Sequence, residues 1–175
     1  MKYLVPALAA LAGLAIAAPV LGSGSGLESG SPSKWENIQV GISYRLYQPH
    51  TRLGNKQKSV KTVSCGTGKE PWVAATYGTA RRGFSVYEGH PICSDPGEST
   101  RVGNPKVMGV TAYLGVYCDP TKSCTKAQGV KNGFLLTWKA KPSKPYKRNT
   151  TIQLNSTHLT LAQLMKVARG LKKVG

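Results

Sequence analysis

Two apolar segments, Trp72-Val-Ala-Ala-Thr-Tyr77 and Phe84-Ser-Val-Tyr87, decide the fold class of this chain. Both are rich in aromatic and β-branched residues, which suit a pleated, half-buried backbone. Gly78 follows the first segment, and Gly89-His-Pro91 turns the chain after the second. Short runs of this kind, bounded by glycine or proline, predict antiparallel strands joined by hairpins.

Further strands are predicted on both sides of this pair. Apolar residues at every second position predict a half-buried strand before it, formed by Ile38, Val40, Ile42, Tyr44 and Leu46. Gln48-Pro-His50 ends that strand. The other predicted strands cover residues 60–65, 106–117 (interrupted by Gly109 and Gly115), 134–139 and 151–154. Residues 94–105, which are rich in Gly, Pro, Ser and Asp, are predicted to form a loop.

The end of the chain changes to a helical period. The residues that predict one apolar helical face are Leu161, Leu164, Met165, Ala168 and Leu171. Thr160 and Gln163 have the spacing of a capping box, and Lys172 and Lys173 suit the C-terminal end of the helix. The predicted fold is therefore α+β, a meandering antiparallel β-sheet closed by one C-terminal α-helix.

The first part of the chain predicts export. Residues 1–22 carry one lysine followed by an apolar stretch, and small-residue cleavage motifs precede Ala18 and Ser23, as in an export signal. Residues 3–21 are also long enough to serve as an uncleaved membrane anchor, so both outcomes stay open. Residues 23–34 form a Gly/Ser-rich linker, and residues 35–175 are predicted to be a single extracytoplasmic domain. The expected location is secreted or extracytoplasmic.

The cysteines agree with an oxidising compartment. All four lie beyond the linker, at Cys65, Cys93, Cys118 and Cys124. An even number in an exported chain predicts two disulfides. Three pairings are possible, and the most local one joins Cys118 to Cys124 and leaves Cys65 with Cys93. Because the chain has no tight C-x-x-C pair, neither a metal site nor a cofactor is predicted.

Charge indicates the class of ligand. The chain has 24 Lys and Arg against 7 Asp and Glu, a net charge of +17, which attracts anionic polymers, membrane surfaces and nucleic acid. Basic residues interleaved with aromatic ones would suit a sugar-phosphate polymer through charge and stacking. A solvated surface without a specific ligand is the alternative. The candidate binding residues are Arg52, Lys56, Lys58, Lys61, Arg81, Arg82, Trp138, Lys139, Lys141, Lys144, Tyr146, Lys147 and Arg148.

Residues suited to catalysis are few and scattered. His50 and His90 lie beside prolines in predicted turns, and His158 adjoins the predicted helix start. A hydrolytic site would need a nucleophile with a base, or paired carboxylates. The few acidic residues, with Glu88 and Asp95 among them, do not make such a pattern. The sequence therefore predicts a protein that is not an enzyme.

Several short motifs resemble one family of exported domains of unknown function, found in secreted proteins and lipoproteins of Gram-positive bacteria and as the outer domain of some anti-sigma factors. Leu46-Tyr-Gln-Pro-His-Thr-Arg-Leu-Gly54 is similar to its Y-x-P-x-x-L-P-x-G opening, and residues 159–171 are similar to its closing helix, although Arg169-Gly170 replaces the usual basic residue and serine. Residues 106–113 and 135–139 occur in the same order. The resemblance covers about residues 44–171, implies an exported antiparallel sheet with a C-terminal helix, and implies no catalytic residues.

Two functional hypotheses follow. The first is an exported, strongly basic binding module that engages an anionic envelope component or a membrane surface, with nucleic acid a less favoured ligand. The alternative is a structural or regulatory protein that contacts another exported protein through a strand or helix face. The sequence leaves the oligomeric state open.

Overall fold

A computed structural model describes residues 33–119 and 121–175. The predictions for the leader, and for the linker before Ser33, lie outside the described residues. Within them the fold is α+β and consists mostly of antiparallel strands, as predicted. No helix in this part of the chain is long and apolar enough to cross a bilayer.

The described residues form eleven strands, three α-helices and one short 3-10 helix. In chain order these elements are α1 (Lys34–Val40), β1 (Tyr47–Pro49), β2 (Gln57–Val63), β3 (Trp72–Thr79), β4 (Arg82–Gly89), β5 (Ser99–Gly103), β6 (Lys106–Val107), β7 (Val110–Thr111), β8 (Tyr113–Tyr117), the 3-10 helix (Lys126–Gln128), α2 (Gly129–Asn132), β9 (Phe134–Ala140), β10 (Thr150–Thr157), α3 (Leu161–Arg169) and β11 (Leu171–Lys173).

Seven strands form one antiparallel sheet in the order β2-β3-β4-β10-β9-β8-β5. Strands that follow one another in sequence are neighbours within β2–β4 and within β8–β10, so the predicted meander describes each half. The two halves join where β10 pairs with β4, and β2 and β5 are the sheet edges. Two small pairs, β1 with β11 and β6 with β7, complete the strand pairing.

One face of the sheet, called here the inner face, holds the hydrophobic core. The strand registers align a buried apolar row across six strands, made of Val60, Ala75, Val86, Leu154, Leu136 and Leu114. Side chains of α1, β1, α3 and β11 belong to the same core. Each strand therefore has one buried side and one side that is free to carry function.

The structure corrects the first predicted strand. Residues 34–40 form α1, so Ile38 and Val40 are helical, and Val40 is 89% exposed. Ser33 and Glu36 form a reciprocal capping box that satisfies free amides at the helix start. Trp35 and Gln39, four positions apart, are the buried residues of α1, so the helix buries one face. The cap of this helix thus lies inside the predicted linker.

The C-terminal helix forms as predicted but is one of three α-helices in the described residues. Thr160 accepts a hydrogen bond from the Gln163 amide, and the Gln163 side chain accepts one from the Thr160 amide. The helix ends at Arg169, and residues 171–173 then form β11 beside β1. Leu171, Lys172 and Lys173 therefore belong to a strand, contrary to prediction, because Gly170 ends the helix and the free edge of β1 offers backbone partners.

The region between residues 94 and 117 is also more ordered than predicted. Ser99–Gly103 forms the edge strand β5 inside the predicted loop, because β8 supplies a hydrogen-bonding partner. The predicted strand over 106–117 is divided into β6, β7 and β8. β6 and β7 pair across Met108-Gly109, and both residues have positive φ.

The disulfide prediction is confirmed in its most local form. Cys65 pairs with Cys93, and Cys118 pairs with Cys124. The first bond ties the segment after β2 to the segment after β4. The second joins two cysteines that are six positions apart in the segment after β8.

Candidate functional site

The second face of the sheet, called here the outer face, is polar and aromatic. The row beside the core row consists of Lys61, Ala74, Tyr87, Gln153, Thr137 and Tyr113. Hydroxyl, amide and basic side chains on a rigid sheet face are held in place by the strand register. The outer face is therefore where a ligand site is expected.

The segment of residues 90–98 covers part of the outer face. An alanine Cβ at Gly97 would lie 3.8 Å from the Tyr117 ring, and one at Gly89 would lie 2.7 Å from the Pro91 carbonyl oxygen. Burial raises the pKa of Tyr117 to about 12. Because Cys93 lies in this segment, the Cys65–Cys93 disulfide fixes the cover over this end of the face.

A groove remains open beside that cover, and it is called here the outer groove. Its volume is about 700 Å³, within the range of small-molecule sites. Two basic side chains, Arg101 and Lys139, line it, and none of its lining residues is acidic. The complete lining is Arg101, Asn104, Val110, Thr111, Ala112, Tyr113, Thr137, Trp138, Lys139 and Thr151.

Arg101 is positioned by an aromatic ring on the neighbouring strand. Its guanidinium carbon lies 4.9 Å from the centre of the Tyr113 ring, a cation–π distance. The Tyr113 hydroxyl donates to the Ser99 carbonyl at 3.0 Å, which orients the ring. Gly115 leaves room for it, because an alanine Cβ there would lie 2.8 Å from Tyr113 Cε1. The exposed guanidinium keeps its N–H groups available, since it forms no ion pair among the described residues.

Lys139 lines both the outer groove and a second cavity. It is exposed, lies opposite Thr151 on β10, and shares with Thr151 the lining of this second cavity, whose volume is about 160 Å³. His90 and Asn149 line that second cavity, and His90 Nδ1 lies 2.8 Å from the Asn149 carbonyl oxygen. A ligand larger than the outer groove can therefore extend past Lys139 toward His90.

The structure divides the predicted basic clusters between two ends of the sheet. Lys56 and Lys58 line a depression of about 380 Å³ together with Thr79, whose register partner is Arg82. Arg81 is in the same β3–β4 turn. These four basic residues, Lys56, Lys58, Arg81 and Arg82, are called here the turn-end cluster. Lys139 lies at the opposite end, because β4 runs from the turn at Arg82 to Gly89, beside Thr151.

Of the two aromatic residues predicted to stack on a ligand, Trp138 is buried and Tyr146 has one ring face covered. Trp138 is only 2% exposed and packs in the core, because it alternates with Thr137 and Lys139 along β9. Its stacking role is therefore wrong. The Arg45 guanidinium lies 4.5 Å from the centre of the Tyr146 ring and covers one of its faces. Arg45 itself is buried and donates to the Lys144 and Gly175 carbonyl oxygens.

The other predicted basic residues differ in their availability. Arg148 pairs with Glu70 at 3.0 Å, so its charge is already partnered. Arg52 donates to the Pro49 carbonyl oxygen and lies 5.7 Å from the centre of the inner-face Tyr77 ring. The remaining residues are exposed and form no ion pair within the described chain: Lys61 on β2, and Lys141, Lys144 and Lys147 between β9 and β10.

The carboxylates lie apart from the outer groove. Asp119 pairs with Lys122 at 3.5 Å, and Asp95 accepts a hydrogen bond from the Gly97 amide at 2.9 Å. Glu70 accepts from Ser43 and Arg148. Among the described residues, no group of three His, Cys, Asp or Glu side chains is arranged to hold a metal ion.

Glu88 is a buried acid on the inner face. One of its carboxylate oxygens accepts a hydrogen bond from the Tyr47 amide at 2.8 Å, and the other has no partner among the described residues. Burial raises the pKa of Glu88 well above its ordinary value. No described cation forms an ion pair with it. Glu88 is therefore a core residue and does not face either cavity.

Sequence reasoning missed most of the outer groove. Arg101 and Asn104 lay in a predicted loop, and Thr137 and Thr151 lay in predicted strands without being assigned to a binding site. A signal was available in β9, where strict alternation places Thr137 and Lys139 on one face and Trp138 on the other. The pairing of β5 with β8, which brings Arg101 to Tyr113, has no local sequence signal.

Comparison of this chain with protein-family models, with curated proteins and with solved structures finds no match.

Proposed function

We propose that this protein is an exported, non-catalytic binding module that engages an anionic component of the cell envelope through its unpaired basic side chains. The observation that carries the proposal is that the basic residues far outnumber the ion pairs they form. The described residues hold all the Lys and Arg except Lys2, yet they contain two ion pairs. Apart from Arg45, which is buried and donates to backbone carbonyl oxygens, the remaining cations are available to a polyanion.

The outer groove is the part of this surface best suited to a specific ligand. It combines two cations with hydroxyl and amide groups on a rigid sheet, and its lining contains no carboxylate to repel an anion. An arrangement of this kind supplies both long-range attraction and short-range hydrogen bonds. The turn-end cluster adds attraction at the other end of the sheet.

Two disulfides support an extracytoplasmic location, because such bonds persist in oxidising compartments. The resemblance to exported envelope domains supports the same location. The non-catalytic part of the proposal is supported by the separation of candidate groups: Glu88 is in the core, Asp95 is in a turn, and His90 contacts a backbone oxygen.

The test is binding of the full chain to anionic vesicles, to a teichoic-type polymer and to single-stranded DNA over a series of salt concentrations. Binding to the vesicles or to the polymer that survives physiological salt would support the proposal and name the ligand class, whereas preferential binding to the DNA would contradict it. Weak binding to all three that vanishes together as salt rises would contradict it, because a solvated basic surface behaves in that way.

A second candidate function is contact with another exported protein through the β2 edge. Among the described strands, β2 pairs only with β3, so its outer edge has free backbone groups. Lys58 and Lys61 on that strand oppose unspecific pairing, since edge charges keep strands apart. Binding of a protein partner that changes little with salt would favour this candidate.

A further inference from the structure

We propose that the outer groove binds a sugar ring that carries a negative charge, as found in acidic polysaccharides. This inference rests on the proposed function and specifies its ligand. The chemistry required is an anionic group (carboxylate, sulfate or phosphate) on a ring with several hydroxyl groups.

The two cations of the groove indicate that its ligand carries an anionic group. Arg101 and Lys139 line the same cavity, and neither forms an ion pair among the described residues. A guanidinium binds carboxylate, sulfate or phosphate oxygens through two N–H groups, and an ammonium binds them as a point charge. Because no acidic side chain lines the groove, these cations are not neutralised in place.

The hydroxyl-bearing ring follows from the neutral lining. Three threonines and Asn104 line the groove beside the cations. Thr137 and Lys139 lie on the same face of β9, about 7 Å apart along the strand, so a hydroxyl group and a cation are presented side by side. A free inorganic anion would use the cations alone and would leave most of the 700 Å³ volume unfilled.

The aromatic residues argue against a nucleic-acid ligand. Stacking of bases on exposed rings supplies much of the affinity for single strands. In this groove Arg101 covers one face of the Tyr113 ring, and Trp138 is 2% exposed. The lining therefore offers charge and hydrogen bonds but no fully exposed aromatic ring on which a base could stack.

The groove also differs from a membrane-binding surface. Its cations line a cavity on a sheet face, beside the segment that carries Cys93, and the exposed residues of this lining are polar or charged. A lipid surface is bound by an apolar stripe flanked by cations. Binding to vesicles that equals binding to acidic saccharides would contradict the inference.

The experiment uses the full chain and six probes: a sulfated hexasaccharide from heparin, a galacturonic acid hexamer, a neutral glucose hexamer, single-stranded DNA of matched charge, anionic vesicles, and inorganic polyphosphate. The double variant R101Q/K139Q removes both groove cations. The matched control is K56Q/K58Q, which removes the same charge at the turn-end cluster. All four residues are exposed, so both variants are expected to fold, and circular dichroism checks this.

We expect at least one acidic hexasaccharide to bind more tightly than the DNA and the neutral hexamer. R101Q/K139Q should weaken that binding at least about tenfold, whereas K56Q/K58Q should change it less than about twofold. Comparison of the sulfated and galacturonate hexasaccharides shows whether the groove prefers a sulfate or a carboxylate group.

A second variant, T137V/T151V, keeps the charges and removes two hydroxyl groups. It should weaken acidic-saccharide binding and leave binding of inorganic polyphosphate unchanged. Equal losses in R101Q/K139Q and K56Q/K58Q would overturn the inference and leave the proposed function intact, whereas tighter binding of DNA than of either acidic saccharide would overturn both. Failure of every anionic probe to bind the unmodified chain would overturn both.

Discussion

The Arg101 guanidinium rests on the Tyr113 ring, 4.9 Å from its centre, and this contact joins the edge strand β5 to the wall of the outer groove. Gly115 lies opposite Arg101 in the register. Because it has no side chain, it leaves room for the Tyr113 ring. A cation held in this way loses little conformational freedom when it binds an anion.

Substitution of Gly115 should disturb this arrangement. In G115A the new methyl group would lie 2.8 Å from both Ser99 Oγ and Tyr113 Cε1, so the ring must move. We expect a loss of about 1–3 kcal/mol in the free energy of unfolding, together with weaker binding of anionic polymer. The control is G41A, whose methyl group meets its nearest atom at 3.7 Å. Equal stability and binding in both variants, measured by urea unfolding and titration, would show that Tyr113 is not held by this contact.

Glu88 should make stability depend on pH. Its folded pKa is raised by burial, so the folded state holds the proton more tightly than the unfolded state. The contribution of this bound proton to the free energy of unfolding is complete below the ordinary glutamate pKa of 4.5. It is lost as pH rises toward the folded pKa. Between these two values the free energy of unfolding should fall with a slope of up to about 1.4 kcal/mol per pH unit.

The matched variant is E88Q, which keeps an oxygen for the Tyr47 amide and does not ionise. Urea unfolding from pH 4 to 8 should give a flatter profile for E88Q than for the unmodified chain. A profile with the same slope in both proteins would assign the pH dependence to other groups.

The two disulfides should differ in their effect on stability. Cys65 and Cys93 are separated by 28 residues, whereas Cys118 and Cys124 are separated by 6. The loop-entropy model gives about 3.5 kcal/mol for the first bond and about 2 kcal/mol for the second. C65S/C93S should therefore lower the unfolding temperature more than C118S/C124S. The reverse order of unfolding temperatures would contradict this prediction.

The cap of α3 should contribute measurably. Thr160 accepts from the Gln163 amide at 3.2 Å, and T160A removes that acceptor. The expected cost is about 1 kcal/mol in the free energy of unfolding, whereas T160S should remain within a few tenths of a kcal/mol. Similar losses in both variants would indicate that the threonine methyl group matters more than its hydroxyl.

Features set by local rules could be predicted from the sequence. The capping box of α3 and the cores of β3, β4 and β9 depend on residues a few positions apart, and the Cys118–Cys124 bond closes a short loop. The helix α1 was mistaken for a strand because Ile38, Val40 and Ile42 satisfy a period of two. The Ser33–Glu36 capping box stabilises a helix start at this position.

Features set by pairing of distant strands could not be predicted. The outer groove requires β5 beside β8, and β9 between β8 and β10, which places Tyr113 opposite Thr137 and Lys139 opposite Thr151. No local pattern specifies this strand order. The basic clusters predicted along the chain were consequently divided, with Lys139 at one end of the sheet and Arg82 at the other.

The central claim is that the outer groove, rather than the basic surface as a whole, holds the anionic ligand. The most direct test is a titration of the isotope-labelled full chain with the sulfated and galacturonate hexasaccharides, followed by the amide NMR shifts. We expect the largest shifts at Arg101, Thr137, Lys139 and Thr151, with little change at Lys56 and Arg81. Shifts of equal size at the turn-end cluster, or shifts spread evenly over the exposed lysines, would contradict it.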